Sequence, residues 1–303
     1  MRDLHASPAL RARVAPDLPV ARLVLGRKVE DAAALLPRLF NLCRVAQGVA
    51  ARAAFGLPVD PDWQVALRHE IQRAHMAKLC LKWPALIGLA PVALPRDWME
   101  GGAETRAALF GPGGTMPEDG AAFGAYLDQA HGVAPVLRAI ARLFQPGEAC
   151  RRAVRLSRST TLFDAGAQEN SVAARRAAHP VMQHIETSWG RGPLWLAAAL
   201  AYDLEALFDR VVLVSRLATG RAVVPAARGL YGITADITDG RVTAFTRVTP
   251  TDHLLAPGGG LEQALATLSP EAAKTRAPLL LSILDPCSPV SLEPASAKEP
   301  AHA

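Results

Sequence analysis

Four thiols bound the metal or redox chemistry open to this chain. They stand at Cys43, Cys80, Cys150 and Cys287, with no Cys-x-x-Cys pair among them. Thiolates are soft ligands that suit iron, copper, zinc and nickel. Cys80 falls in a helical pattern and Cys150 heads a basic segment, and both read as small packed residues. Spacing alone treats Cys43, on a helix, and Cys287, just before the tail, as two further packed thiols. His179 and His184 flank Pro180 at an interval of five, a poor one for two ligands on one helical face, so packing or surface roles suit them better. Gly111-Pro112-Gly113-Gly114-Thr115 lacks the Gly-Lys-Ser/Thr ending of a P-loop. Gly258-Gly259-Gly260 lacks the spacing of a dinucleotide fingerprint.

The surrounding composition narrows the class. Half of the 303 residues are hydrophobic and 20% are charged, enough apolar material for a sizeable core and too much for a disordered chain. Aromatics make up only 5% while Ala and Leu dominate, which favours helices over a β-sandwich. The net charge of +5 is carried almost entirely by Arg. Its densest run, Arg151, Arg152, Arg155 and Arg158, has no interleaved aromatic, so it predicts a solvated face rather than nucleic-acid binding. The modest excess still favours docking to an acidic protein. Met1–Pro19 has no continuous apolar stretch and does not read as a secretory signal. The longest apolar runs, Leu194–Ala201 and Leu279–Leu284, fall far short of a membrane span. The expectation is a cytoplasmic protein with reduced thiols and no membrane insertion.

The elements that must position these thiols are mostly helical. One helix is expected from Glu30 to about Ala54, split at Pro37. A second covers Trp63–Trp83, with Ile71, His75, Leu79 and Trp83 on one i+4 row facing the core. Gly101–Gly120 reads as a loop. Helices are expected again over Ala121–Phe144, Ser171–Trp189 with a break at Pro180, and Pro193–Leu217. Leu230–Thr238 and Arg241–Val248, joined at Asp239-Gly240, form the strongest hairpin signal. A short helix follows near Leu261–Leu268. The predicted class is mainly α with a small β-hairpin element (α+β): one domain over 19–293, a flexible segment 1–18 and a disordered tail 294–303.

Five segments, taken in order, resemble the large subunits of nickel–iron hydrogenases. Arg38-Leu39-Phe40-Asn41-Leu42-Cys43-Arg44-Val45-Ala46-Gln47 looks like that family's first metal motif, Arg-x-Cys-Gly-x-Cys-x-x-x-His. Asp285-Pro286-Cys287-Ser288-Pro289-Val290-Ser291-Leu292-Glu293 is similar to its last, Asp-Pro-Cys-x-x-Cys-x-x-His. Between them, Ala227-Arg228-Gly229 resembles a Pro-Arg-Gly element, and Thr249-Pro250-Thr251-Asp252-His253 a Pro-Thr-x-Trp-Asn element. The helix carrying His75 resembles a family helix with a buried His. Two of the four family thiolates are absent, replaced by Phe40 and Val290, and the motif-ending histidines have become Gln47 and Glu293. This pattern resembles the HupK-type hydrogenase expression/formation proteins, accessory relatives of the large subunit.

The resemblance implies a large-subunit-like core reduced in size, with Cys43 and Cys287 as the two remaining metal ligands. Arg228, Thr251, Gln47 and Glu293 would line the pocket. The cargo would be a transient Fe(CN)2CO unit with no stable nickel, and the partners a hydrogenase large-subunit precursor and a HypC-like small chaperone. Such a protein would not be an enzyme. The competing expectation is a metal-free mimic of the large subunit that grips maturation proteins.

Overall fold

The computed structural model describes residues 10–16, 18–40, 42–156, 159–164, 166–211 and 213–295. The chain enters through strand β1 (Leu10–Val14) and helices α1 (Val20–Val24), α2 (Val29–Leu39) and α3 (Arg44–Ala54). Helix α4 (Trp63–Met76) passes through a π-helical turn, Ala77–Lys82, into α5 (Trp83–Leu86). Helices α6 (Ala103–Phe110), α7 (Gly120–Leu127) and α8 (Ala134–Leu143) follow. The two-residue strands β2 (Val154–Arg155) and β3 (Gln168–Glu169) precede α9 (Val172–Arg176), α10 (Pro180–Trp189) and α11 (Pro193–Phe208). Strands β4 (Arg216–Ala218), β5 (Arg221–Ala226), β6 (Gly229–Thr238) and β7 (Arg241–Val248) come next. The chain closes with α12 (Pro250–Leu255), α13 (Gly260–Thr267), α14 (Pro270–Leu284) and β8 (Val290–Pro294).

Helix α11 is the axle. Every residue from Pro193 to Leu204 is buried, and a helix apolar all round belongs at the centre of a bundle. Helices α4, α8, α9, α10 and α14 pack against it. A second hydrophobic cluster joins α2 and α3 to the inner face of the sheet through Leu36, Ala50, Val224 and Ile233. Ile71, His75, Leu79 and Trp83 are all fully buried, as their common row predicts. The π-helical turn has a local cause. Pro84 cannot donate to the carbonyl of Cys80 four residues back, and that carbonyl accepts instead from Val92 N–H at 3.0 Å. Among the described residues no helix is long and apolar enough to cross a membrane.

The structure differs from the sequence reading in several places. The first helix breaks at Phe40–Cys43, not at Pro37, which sits inside the last turn of α2. Gly101–Gly120 holds a helix, α6, because its glycines fall at the ends and leave a helical stretch that buries Leu109 and Phe110. Ala121–Phe144 divides into α7 and α8, separated by a turn at Gly132. A Cβ there would lie 2.0 Å from the carbonyl oxygen of Leu109. The helix from Pro193 stops at Phe208, and Arg216 already belongs to a strand. The hairpin, with its turn at Asp239-Gly240, is half of a four-stranded sheet in the order β4-β5-β6-β7.

The chain ends also depart from expectation. Residues 10–14 are not a flexible lead but a strand antiparallel to β8, with Leu10 opposite Pro294 and Val14 opposite Val290. Alternation explains the pairing: Leu10, Ala12, Val290 and Leu292 all pack on the main core. The remaining ends expected to be flexible or disordered, 1–9 and 296–303, lie outside the described residues, as does Arg158 of the basic run.

Candidate functional site

Arg228 organises the site. It sits in the turn between β5 and β6, just before Gly229, whose φ of +149° and close approach to Asn170 O, 2.3 Å from where a Cβ would stand, admit glycine alone. Its side chain is mostly buried. Nη1 lies 3.6 Å from Cys43 Sγ, Nε 2.7 Å from Asp285 Oδ2, and Nη2 3.2 Å from Asp285 Oδ1. Asp285 ends α14 in a left-handed conformation, φ 51°. It also receives the ammonium of Lys78, which comes from the π-helical turn and is itself buried. One carboxylate therefore serves two buried basic side chains, and Arg228 presents its remaining nitrogen to Cys43.

Cys43 precedes α3 in the left-handed region, φ 52° and ψ 41°, rather than on the helix. This conformation is uncommon for a residue with a Cβ. The free N–H groups behind it are capped from outside: Glu70 of α4 accepts from Val45 N at 2.8 Å and from Ala46 N at 3.2 Å. Burial pushes the Cys43 thiol up, and the Arg228 guanidinium opposes that rise. Burial likewise raises Glu70, against the backbone donors it accepts.

Cys287 is held from the other end of the chain. Its backbone N–H donates to Thr251 Oγ1 at 2.8 Å, and Thr251 is buried in the first turn of α12. A hydroxyl that accepts in this way keeps its own proton to donate. Arg228 joins the two segments, reaching Cys43 Sγ with one nitrogen while clasping Asp285, two residues before Cys287, with the others. All four cysteines are free thiols. Cys80 is packed in the core, and Cys150 lies against Gly190 and Gly192.

The other expected pocket residues divide. Gln47, buried in α3, donates from Nε2 to Leu42 O at 2.7 Å and braces the loop that carries Cys43. Its Oε1 is buried without a partner. Glu293 is not in the pocket. With Val290 and Leu292 turned to the core, strand alternation sends it outward. Its side chain is 54% exposed and lies 3.5 Å from Arg13. Phe40, where a family thiolate would stand, lies under Arg247, 4.6 Å from the guanidinium carbon to the ring centroid. Val290 packs on the core.

Lys78, Glu70 and Asp285 were not assigned roles by sequence. Lys78 carried a signal, since it follows the buried His75 by three residues and so shares its helical face. Two spaces of about 20 and 30 Å³ lie behind Arg228 and Asp285, and neither is lined by Cys43 or Cys287. Each has room for one or two waters. Among the described residues no group of three or more His, Cys, Asp or Glu side chains is arranged to hold a metal ion. Two thiols are fewer than the four protein ligands of a closed structural metal site.

No protein-family profile matches the chain. It is 47% identical over 279 residues to the hydrogenase expression/formation protein HupK of Rhodobacter capsulatus, covering 92% of this chain and 91% of that protein. A 77-residue stretch is 40% identical to the hydrogenase expression/formation protein HoxV of Cupriavidus necator, covering 23% of this chain and 20% of the other. Among solved structures, the fold is similar to the reduced Ni-Fe-Se hydrogenase of D. vulgaris Hildenborough, with a TM-score of 0.53 at 14% identity over 92% of this chain and 95% of that one. A variant of that enzyme pressurised with oxygen gives a TM-score of 0.55 at 13% identity over 92% of this chain and 95% of the other. On its identity and coverage against the Rhodobacter protein, the chain belongs to the HupK-type hydrogenase expression/formation proteins.

Proposed function

We propose that this protein is a cytoplasmic, non-catalytic maturation factor for nickel–iron hydrogenase. It holds an Fe(CN)2CO fragment between Cys43 and Cys287 and passes it to the large-subunit precursor, having received it from a HypC-like small chaperone. The observation that carries this reading is the placement of Arg228: its Nη1 faces Cys43 Sγ at 3.6 Å, while its Nε and Nη2 clasp the carboxylate of Asp285, two residues before Cys287. Loading exchanges two S–H bonds for two S–Fe bonds and releases two protons. The fragment's carbonyl and cyanides supply its other ligands, so two thiolates suffice. Arg228 and the Thr251 hydroxyl donate toward cyanide nitrogen. Because the enclosed spaces nearby are water-sized, the fragment sits on the partly exposed side of the cysteines. Two protein thiolates hold it loosely enough to release and are too few for a nickel–iron centre.

A second reading, a metal-free large-subunit mimic, draws support from those same small cavities. The two are separated by anaerobic purification from cells expressing the hydrogenase gene cluster. The carrier reading expects infrared bands of bound carbonyl and cyanide, lost in Cys43→Ser and Cys287→Ser, with hydrogenase maturation lost alongside. No such bands, and full maturation with the double variant, would leave the mimic standing.

A further inference from the structure

Beyond the thiols, one cleft combines surplus positive charge with exposed apolar walls. It is about 450 Å³ and lies between α9, the strand β4 and the start of β6. Its cationic side is formed by Arg175, Arg176 and Arg216. Arg175 and Arg176 share the single carboxylate of Asp203, Nη2 of one lying 2.6 Å and Nε of the other 2.7 Å from its oxygens. Among the described residues the other group on that carboxylate is His75, whose burial keeps it below the ordinary histidine range and therefore neutral. Two guanidinium charges against one carboxylate leave one uncompensated. Arg216 is exposed on an edge strand and forms no ion pair among the described residues.

The apolar side is open to solvent: Val214 is 76% exposed and Val211 47%. Isolated exposed valines are ordinary, but two on the rim of one cleft beside uncompensated arginines form a patch with a definite chemistry. At the cleft floor, Asn170 and Ser171 also line the small cavity bounded by Arg228, Thr251 and Asp285. The Ser171 hydroxyl is buried without a partner. Asn170 and Ser171 thus form a wall shared by the cleft and the small cavity beside Arg228.

We infer that this cleft is the docking surface for an acidic, apolar-bearing segment of the hydrogenase large-subunit precursor. The inference rests on the proposed transfer function and adds where the recipient binds. A carboxylate of the segment answers the surplus of Arg175, Arg176 and Arg216, its apolar side chains cover Val211 and Val214, and the shared floor brings it next to Arg228. Charge complementarity of this kind sets recognition and encounter rate, with rim charges felt most at low salt.

The test uses the full chain and purified large-subunit precursor, with the dissociation constant measured by biolayer interferometry at 50 and 300 mM salt. Arg216→Glu and Val214→Asp change only exposed side chains, and Arg142→Glu on α8, likewise exposed, serves as the control. Tenfold or greater weakening in both cleft variants at 50 mM salt, a shallower salt dependence in Arg216→Glu and an unchanged control are expected. Unaltered affinity in both variants, with wild type binding the precursor, would overturn the cleft while leaving the transfer function intact. No binding by wild type would instead remove the transfer reading on which the cleft depends. A wild-type dimer that Val214→Asp converts to monomer by analytical ultracentrifugation, with precursor binding unaffected, would assign the patch to a second copy of this chain and overturn the inference.

Discussion

Arg228 and Asp285 meet at three points: Nε lies 2.7 Å from Oδ2 and 3.1 Å from the backbone oxygen, and Nη2 lies 3.2 Å from Oδ1. This clasp ties the turn between β5 and β6 to the end of α14, and so to the segment that delivers Cys287. It also aims the one remaining nitrogen, Nη1, at Cys43. A planar guanidinium spreads five donors over three nitrogens in a rigid fork, so one edge can clasp a carboxylate while another nitrogen points elsewhere, a span that a compact ammonium lacks.

Replacing Arg228 therefore does more than remove a charge. Arg228→Leu leaves a mostly buried Asp285 with Lys78 alone and is expected to cost about 3 kcal/mol of unfolding free energy by urea denaturation. Arg228→Lys keeps the charge without the fork and should fall between this variant and wild type. An Arg228→Leu protein as stable as wild type would mean that the clasp is incidental.

The hydroxyl of Thr251 makes a narrower claim. It accepts the N–H of Cys287 at 2.8 Å. Thr251→Val, of nearly the same shape, strands that N–H, at a cost of about 1–3 kcal/mol. Amide hydrogen exchange at Cys287 should accelerate, and Thr251→Ser should restore protection. Equal exchange in the Val and Ser variants would show that the hydroxyl does not hold the loop.

How far the site was legible in sequence depended on whether each residue's role is local. The buried row through Ile71, His75, Leu79 and Trp83, and the turn at Asp239-Gly240, follow from periodicity and turn chemistry within a few residues. Cys43, Cys287, Arg228 and Thr251 became visible only through the order of weak motifs, because the folding that gathers them acts over most of the chain. Glu293 misled for a physical reason. Its place in a motif says nothing about strand parity, and pairing of β8 with β1 turned it outward. Glu70 was missed because a carboxylate capping a distant helix looks, in sequence, like any solvated charge; the place of Lys78 three residues after His75 hinted at burial but not at its partner Asp285 across the fold.

Glu70 offers a test of that distant cap. It holds the first turn of α3 immediately behind Cys43, where no residue at the helix start supplies a side-chain cap. Glu70→Ala should lower stability by about 1–2 kcal/mol, in the range of a lost N-cap. It should also speed alkylation of Cys43 at fixed pH by loosening its left-handed turn. Glu70→Gln, which keeps one oxygen acceptor, should recover part of both. A Glu70→Ala protein with normal Cys43 alkylation would show that the turn is held elsewhere.

The pH dependence of stability has a sign set by His75 and Asp203. Nε2 of His75 lies 2.9 Å from Asp203 Oδ2, while Nδ1 is buried without a partner. Burial holds His75 below the ordinary histidine range despite the carboxylate. Burial alone would raise Asp203, but Arg175 and the His75 hydrogen bond carry it well below the usual carboxylate range. The folded pair is thus neutral imidazole with ionised carboxylate. Below about pH 6.5 the unfolded chain takes up a proton on this histidine that the folded chain refuses, so acidification destabilises by up to about 1.4 kcal/mol per pH unit for each such group. His179 and His253, also lowered chiefly by burial, add in the same direction. Asp203 contributes no slope in this window, because its contribution is complete above the unfolded carboxylate range and is lost only as pH falls through its depressed folded value. Urea unfolding at pH 7.5, 6.5 and 5.5 should show a flat upper limb and a falling lower one, less steep in His75→Gln. Asp203→Asn should cost about 3–5 kcal/mol at pH 7.5 by stranding Arg175 and Arg176. A lower limb that rises on acidification in wild type but not in His75→Gln would mean that His75 is protonated in the fold, and the buried pair would then be an imidazolium–carboxylate ion pair.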